Sequence, residues 1–229
     1  MSDDPNSPAP ASASEPPNRK RGRGRGSVGR EAIIQSTRML LREVPPSSLT
    51  RKNVAEAAQV DPALVRYYFS DLSTLLTEVL KVLVGEYREL HAALNIDPSD
   101  PRDGIAKRMH HLTTFLARET SFHELFTEQI INGKDEWALE TRNAFTDSFG
   151  GSLADLVNVG REQGLFRDDF DPRLLYLAMI GSAHFLGASR SIFHRLFGED
   201  VQPNDLAEDY ARLLTRMVLS GIAKDDGRP

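Results

Sequence analysis

Hydrophobic residues recur at helical spacing along most of the chain, and no run alternates as a strand would. The most persistent stripe runs from Leu75 to Leu94, behind Asp71, which is suited to cap a long helix. Further helices are predicted over 101–120, 121–132, 133–163, 172–197 and 203–222, with a loop at 164–172. This pattern predicts an all-α fold of about nine helices.

Two short helices are predicted between Leu49 and Phe69. Thr50 is placed to cap the first, and Asp61 followed by Pro62 marks the start of the second. Their inner faces are apolar and comprise Val54, Ala55, Ala58, Leu64, Val65, Tyr68 and Phe69. Such a pair is typical of a helix-turn-helix, although two packed surface helices without a nucleic-acid partner give the same spacing.

From Arg30 to Leu80 the chain resembles the N-terminal domain of the TetR family of bacterial repressors. The resemblance lies in the stretch 30–41 (REAIIQSTRMLL), Leu49-Thr50, Val54-Ala55, 58–60 (AQV), 65–69 (VRYYF) and 71–76 (DLSTLL), about fifty of the 229 residues. It implies three DNA-binding helices, then a larger helical domain that binds a small ligand and dimerises through its last two long helices.

Three positions depart from the family pattern. Gln59 stands where the family usually has the glycine of the interhelix turn, whose φ is positive. Arg66 replaces a tyrosine on the recognition helix and is able to grip a guanine or a phosphate. Leu72 replaces a lysine that normally contacts a phosphate at the start of the fourth helix.

The outward positions of the helix pair are the candidate DNA contacts. Lys52 and Arg66 suit guanine, and Ala63 and Leu64 would lie near thymine methyl groups. Tyr67 is expected at the backbone or a base edge. The phosphate contacts are expected to be Thr50, Arg51 and Tyr68.

A basic arm precedes this region. Residues 1–18 are rich in Pro, Ser and Ala and are expected to be disordered. Arg and Gly alternate over residues 19–26, which we expect to be non-helical because Gly costs about 1 kcal/mol in a helix interior. Such an extended run can lie in a narrow minor groove, whose negative potential attracts arginine. We predict that Arg21, Arg23 and Arg25 contact DNA, with insertion into this groove as one mode. The alternative is a solubilising tail or a run that binds phosphates only.

Charge divides the chain in the same way. Residues 19–70 hold eleven Lys or Arg against four Asp or Glu, whereas residues 81–229 hold seventeen against twenty-four. A basic head on an acidic body fits polyanion binding through the head alone. The predicted domains are a disordered extension at 1–26, a DNA-binding head at 27–80 and an effector-binding and dimerisation body at 81–229. Since no signal sequence or apolar span is evident, we expect a cytoplasmic protein without membrane contact.

The body offers only generic signals for its two expected uses. Helices 172–197 and 203–222 have the apolar spacing of a bundle and are expected to form a homodimer, although burial within one monomer is the alternative. The effector is expected to be small and largely apolar. Its candidate pocket residues are His111, Phe115, Phe126, Trp137, Phe145 and His184.

Catalytic and metal signals are weak. The chain has no cysteine, and His123-Glu124 lacks the second histidine of a zinc-protease helix because position 127 is threonine. Ser152 is not in a nucleophile elbow. We therefore expect no enzyme, no cofactor and no metal, but a ligand-responsive repressor that binds a palindromic operator as a dimer. The alternative is an AT-preferring architectural DNA-binding protein without an effector; an enzyme or a protein-interaction module would not bind DNA at all.

Overall fold

The computed structural model describes residues 23–147, 152–188 and 190–224, and within these ranges the chain is built from α-helices. The helices are α1 (Arg23–Leu41), α2 (Arg51–Ala57), α3 (Pro62–Tyr68), α4 (Leu72–Ala92), α5 (Pro101–Arg118), α6 (Phe122–Phe126), α7 (Glu136–Phe145), α8 (Ser152–Glu162), α9 (Pro172–Ala188), α10 (Arg190–Phe197) and α11 (Ala207–Ile222). A π-helical turn, Thr127–Ile131, continues α6, and short 3-10 turns cover Pro46–Ser48 and Pro203–Leu206. The predicted all-α fold is confirmed.

The cap residues predicted from the sequence occupy their expected places. The Thr50 hydroxyl accepts a hydrogen bond from the Asn53 amide, and the Asn53 side chain accepts one from the Thr50 amide, which forms a capping box at α2. Asp61 caps α3 through the Ala63 amide, and Asp71 caps α4 through the Thr74 amide. These local hydrogen bonds satisfy amides that the first helical turn leaves unpaired.

The start of α1 corrects the expectation for the basic arm. Arg23–Gly26 were predicted to be non-helical, yet α1 begins at Arg23. Helix propagation adds a hydrogen bond for each residue ordered, so a helix anchored by buried Ile33 and Ile34 can extend through residues of poor propensity. Residues 1–22, including Arg21, lie outside the described residues.

The described residues form eleven α-helices rather than about nine. The predicted helix over 133–163 is described as α7 and α8, and the one over 172–197 as α9 and α10. Residues 148–151 and 189, which lie between these pairs, fall outside the described ranges.

The head and the body share one continuous core. In the head, α1, α2 and α3 pack around Ile33, Val54, Val65 and Phe69, all at most 1% exposed. The core continues along α4 into the body, where α5 is the central helix and packs against α8, α9 and α11. In the described part of the chain, no helix is both long and apolar enough to cross a membrane.

Candidate nucleic-acid interface and internal cavity

The outward face of α3 is the most exposed part of the helix pair. Val65 is buried at 1% exposure and holds the helix on the head, whereas Ala63 and Arg66 are exposed and Tyr67 is 79% exposed. A tyrosine side chain this exposed contributes little to the core, and its position beside a cation suits a contact with a partner. The face therefore presents one aromatic and one basic group, with the small Ala63 leaving room for close approach.

The start of α2 supplies two further cations. Arg51 and Lys52 are both exposed. The Arg51 Nη2 donates a hydrogen bond to the Ser70 carbonyl at 2.5 Å, and the Lys52 Nζ lies 3.8 Å from the Glu56 carboxylate. Arg51 thus ties α2 to the segment before α4 while remaining at the surface.

Leu64 and Tyr68 are half-buried against the core of the head. Tyr68 packs near Gly29 of α1, and its ring meets that of Tyr67 edge-on at 5.0 Å. Leu64 therefore offers only part of its side chain to the outward face. At the start of α4, the half-buried Leu72 also packs against the core.

Gln59 adopts the backbone conformation that the family pattern implies for this position. Its φ is +54°, in the left-handed region between α2 and α3. A residue with a Cβ atom in this region costs roughly 1–2 kcal/mol relative to the right-handed conformation. The turn is thus retained without glycine, and the packing of α2 against α3 offsets the backbone strain.

The basic arm can be placed only in part. The backbone of Arg23 and Arg25 lies in the first turns of α1. Their side chains and the whole of Arg21 lie outside the described residues. Contact of these arginines with DNA stays a prediction.

A cavity of about 290 Å³, partly open to solvent, lies in the body between α5, α6 with its π-helical turn, α7 and α9. We call it the internal cavity. Its wall is mainly apolar and aromatic, with a few polar groups, which is the usual composition of a small-molecule site. The lining residues are Leu112, Leu116, Phe122, His123, Phe126, Thr127, Ile131, Arg142, Phe145, Thr146, Tyr176, Ile180 and His184.

The structure places half of the predicted pocket residues in this wall. Phe126, Phe145 and His184 line the cavity. His111 and Phe115 instead pack in the adjacent aromatic cluster around Tyr87, with ring centroids 4.7 and 4.9 Å from it.

Trp137 also lies away from the cavity wall. It packs at the surface beneath the Lys81 ammonium group, which lies 5.3 Å from the ring centroid. Helical spacing identified these aromatic residues as inward-facing, but it does not say which of two neighbouring clusters each one enters.

Two histidines are among the polar groups of the cavity wall. The rings of His123 and His184 lie 3.6 Å apart. Burial lowers the pKa of His123, and burial together with the neighbouring His123 lowers the pKa of His184 to about 4. Both imidazoles are therefore neutral near pH 7. Burial also raises the pKa of the Tyr176 hydroxyl to about 12, so the tyrosine is a neutral hydrogen-bonding group as well.

A buried carboxylate joins the head to the wall of this cavity. Glu119, 3% exposed, lies at the end of α5 and accepts hydrogen bonds at 2.7 and 2.5 Å from Arg38 of α1 and from Arg42, the residue that follows α1. Next to it, the Ser121 hydroxyl donates to the Leu41 carbonyl at 2.6 Å. The following residues, from Phe122 onward, line the cavity, so a single turn of chain contacts both regions.

Exposed apolar side chains form a face on the two long C-terminal helices. Leu174 and Leu177 of α9 are 65% and 63% exposed, and Met217 of α11 is 60% exposed. Between the two helices runs a groove of about 360 Å³ lined partly by Leu174, Leu214 and Met217. A contiguous apolar face of this kind is characteristic of a protein interface.

Comparison with known proteins identifies the family. Residues 101–218 match the family described as Tetracyclin repressor-like, C-terminal domain. The chain belongs to the TetR family of transcriptional regulators. The match covers the body, whereas the sequence resemblance lay in the head, so the two assignments are made on separate parts of the chain.

The chain is also similar in sequence to a transcriptional repressor and in fold to solved structures of regulatory proteins. The HTH-type transcriptional repressor NicS of Pseudomonas putida is 20% identical over 174 residues, which cover 76% of this chain and 82% of NicS. A transcriptional regulator from Saccharomonospora viridis, solved with choline, has a TM-score of 0.65 at 18% identity and covers 86% of this chain and 99% of its own. AibR, solved with isovaleryl coenzyme A and operator DNA, has a TM-score of 0.60 at 16% identity and covers 82% and 97%.

Sequence reasoning missed most of the polar cavity wall. His123, Thr127, Arg142, Thr146 and Tyr176 come from three separate helical segments and line one space. No local spacing relates them, because the cavity exists only after the helices have packed. The adjacency of His123 and His184, sixty-one positions apart, has no signal in the sequence.

Proposed function

We propose that this TetR-family protein is a ligand-responsive repressor that binds a palindromic operator as a homodimer and acts by binding rather than by catalysis. The observation that carries the proposal is the outward face of α3. Val65 is buried beneath it while Arg66 and Tyr67 are exposed, which is the arrangement a helix needs to enter a major groove. The neighbouring exposed cations Arg51 and Lys52 suit backbone phosphates and guanine.

A homodimer supports this use of the head. One helix-turn-helix reads few base pairs, and two heads about one DNA turn apart, roughly 34–36 Å, multiply the affinity. The exposed apolar face of α9 and α11 supplies a surface for a second copy. A two-fold symmetric dimer would pair this face with itself and would bind an operator with matching symmetry.

The cavity supports a ligand response. NicS is named as a repressor, and the Saccharomonospora and AibR structures hold small molecules, so the same use is proposed here. A ligand between α6 and α7 would press on the turn that carries Glu119 and Ser121, which bind α1 of the head. The ligand must prefer one head arrangement over the other, since equal affinity for both would shift nothing.

Substitutions on α3 test the proposal. We expect Arg66→Ala to weaken specific operator binding by about 1–3 kcal/mol in fluorescence anisotropy, and Arg66→Lys to recover only part of it because lysine lacks the bidentate fork. Tyr67→Ala should also weaken binding. Arg88→Ala, an exposed arginine on α4, is the matched control and should bind as the wild type does.

Two results would contradict this assignment. Unchanged affinity of the Arg66 and Tyr67 variants would remove α3 from the interface. Equal binding to operator and to unrelated AT-rich DNA would instead favour an architectural protein driven by the basic arm.

A further inference from the structure

A second, smaller cavity adjoins the internal cavity of the body. It has a volume of about 20 Å³, which is roughly the space that one water-sized group needs. Leu112 and Tyr176 line both cavities, so the smaller space lies directly behind part of the wall of the larger one. The remaining lining residues of the smaller space are Tyr87, His91, Arg108, Leu153 and Met179.

Arg108 brings a positive charge into this space without a matching negative one. Its Nε is buried and has no hydrogen-bond acceptor in the described part of the chain. No carboxylate of the described residues forms an ion pair with it, and the exposed Asp155 acts on it only from a longer distance. Burial accordingly lowers the pKa of Arg108 despite the opposing influence of Tyr87 and Asp155.

Other partly buried arginines of the described residues are ion-paired or hydrogen-bonded. Arg38, Arg42 and Arg118 each lie within 3.1 Å of the Glu119 carboxylate. Arg142, which lines the larger cavity, donates to the carbonyls of Ile130 and Ile131 at 2.9 Å. Buried charges are ordinarily paired because an unpaired one is costly to desolvate. Arg108 departs from this rule at a place next to a ligand-sized space.

We infer that the effector is an organic monocarboxylate with an apolar body, whose carboxylate binds Arg108. This rests on the proposed function. The apolar body would occupy the larger cavity among Phe122, Phe126 and Phe145, and one carboxylate oxygen would enter the smaller space and accept from the Arg108 Nε.

The geometry favours a carboxylate over other anions. A charge-assisted hydrogen bond between guanidinium and carboxylate is short and roughly twice as strong as a neutral one. The smaller space is about 20 Å³, which is too small for a whole tetrahedral phosphate, whereas a planar carboxylate needs to place only one oxygen there and has less bulk to hold in the wall. Since the Arg108 Nε is already buried in the free protein, a ligand oxygen gains the attraction without paying the desolvation cost of that atom again.

Titration calorimetry with matched probes tests the inference. The probes are a series of monocarboxylates, from butyrate to decanoate and from benzoate to naphthoate, each paired with its neutral amide. We expect at least one acid to bind the wild-type protein at least tenfold more tightly than its amide. Arg108→Gln should weaken that acid about tenfold to hundredfold, from the loss of one charged hydrogen bond, and leave the amide unchanged.

Two further variants separate binding from folding. Arg102→Gln removes an exposed arginine two turns earlier on α5 and should bind the acid as the wild type does. Arg108→Met keeps the length of the side chain and should behave as Arg108→Gln does. Both Arg108 variants should melt at or above the wild-type temperature without ligand, because the unpaired charge is gone.

The outcomes are distinct. Equal affinity for acid and amide, the absence of acid binding across the series, or full acid affinity in the Arg108 variants would overturn the inference. Full acid affinity in the Arg108 variants is also the result expected if only a water molecule accepts the hydrogen bond from Arg108. Operator binding by the ligand-free protein is measured separately. If the ligand-free protein does not bind an operator but still binds the acid through Arg108, the proposed function is contradicted while the carboxylate site is supported.

Discussion

Glu119 is the residue on which the joint between head and body depends. Its side chain is 2% exposed and forms ion pairs with Arg38, Arg42 and Arg118. Burial opposes ionisation of this carboxyl, but the hydrogen bonds from Arg38 and Arg42 outweigh it, and the net pKa is lowered. Glu119 therefore stays ionised in the folded protein, where it neutralises cations from two regions.

We expect Glu119→Gln to lower the free energy of unfolding by about 2 kcal/mol near pH 7, because three partly buried arginines lose the carboxylate they share. Glu86 still pairs with Arg38 and Arg118, which limits the loss. The folded-state pKa lies below the usual value of 4.5. The stabilisation is thus complete above about pH 4.5 and is lost as the pH falls through the folded-state value. Urea unfolding of both proteins from pH 7 to pH 3 measures this.

Glu89→Gln, an exposed carboxylate on α4, is the control and should change stability by no more than about 0.5 kcal/mol at any pH. A difference between the wild type and Glu119→Gln that does not shrink in acid would show that the carboxylate charge does not hold the joint.

Gln59 gives a second prediction at the scale of a single residue. The φ of Gln59 is +54°, so Gln59→Gly should relieve backbone strain in the folded protein. Glycine also adds conformational entropy to the unfolded chain, which offsets part of this gain, and the expected net stabilisation is about 0.5–1 kcal/mol. Gln59→Val should destabilise it, since β-branched residues avoid this region. Thermal unfolding measures both. Gln35→Gly, within helix α1, should instead cost about 1 kcal/mol. The same sign for both glycine variants would contradict the assigned turn geometry.

At the scale of elements, local signals predicted most of the helices. Asp61-Pro62 and Asp71 specify helix starts through hydrogen bonds to residues two or three positions ahead, so the sequence alone locates α3 and α4. The start of α1 was misjudged because glycine propensity was weighed without the anchoring of Ile33 and Ile34. Propensity is a weak guide where tertiary packing holds the rest of a helix.

Local sequence signals do not show which residues line the cavity. Phe126 and Phe145 were found because aromatic residues on inward faces are candidates in any bundle. His111 satisfies the same pattern, yet it packs on Tyr87 and its Nε2 lies 3.3 Å from the Tyr87 carbonyl. Arg108 gave no sequence signal, because only the packing of the helices shows that its Nε finds no acceptor among the described residues.

The face on α9 and α11 leads to a prediction about assembly. We expect Leu177→Glu and Met217→Glu to shift a dimer towards monomer in sedimentation velocity, because a charge would be buried in an apolar interface. The monomeric variants should remain helical by circular dichroism. Leu139→Glu, on the exposed side of α7, should leave the assembly unchanged. Dimers that persist in both interface variants would place the contact elsewhere.

At the scale of the whole molecule, the head and the body differ in charge but share one core. The basic residues concentrate before residue 70 and the acidic ones after residue 81, so the body is repelled by the polyanion that attracts the head. The cavity lies in the body next to the joint, and α4 carries the common core from the head to the body. In the proposed function, a ligand bound in the cavity would therefore act on the head through this core and through Glu119, at a distance from the DNA.

Dimeric, sequence-specific DNA binding can be measured by selecting bound sequences from a random duplex library and footprinting the enriched site. We expect two inverted half-sites centred about one DNA turn apart. Two protein copies should protect it, and the Arg66→Ala variant should lose the preference at one base pair in each half-site. Enrichment of AT-rich DNA without inverted symmetry, or no enrichment at all, would contradict a dimeric, sequence-specific regulator.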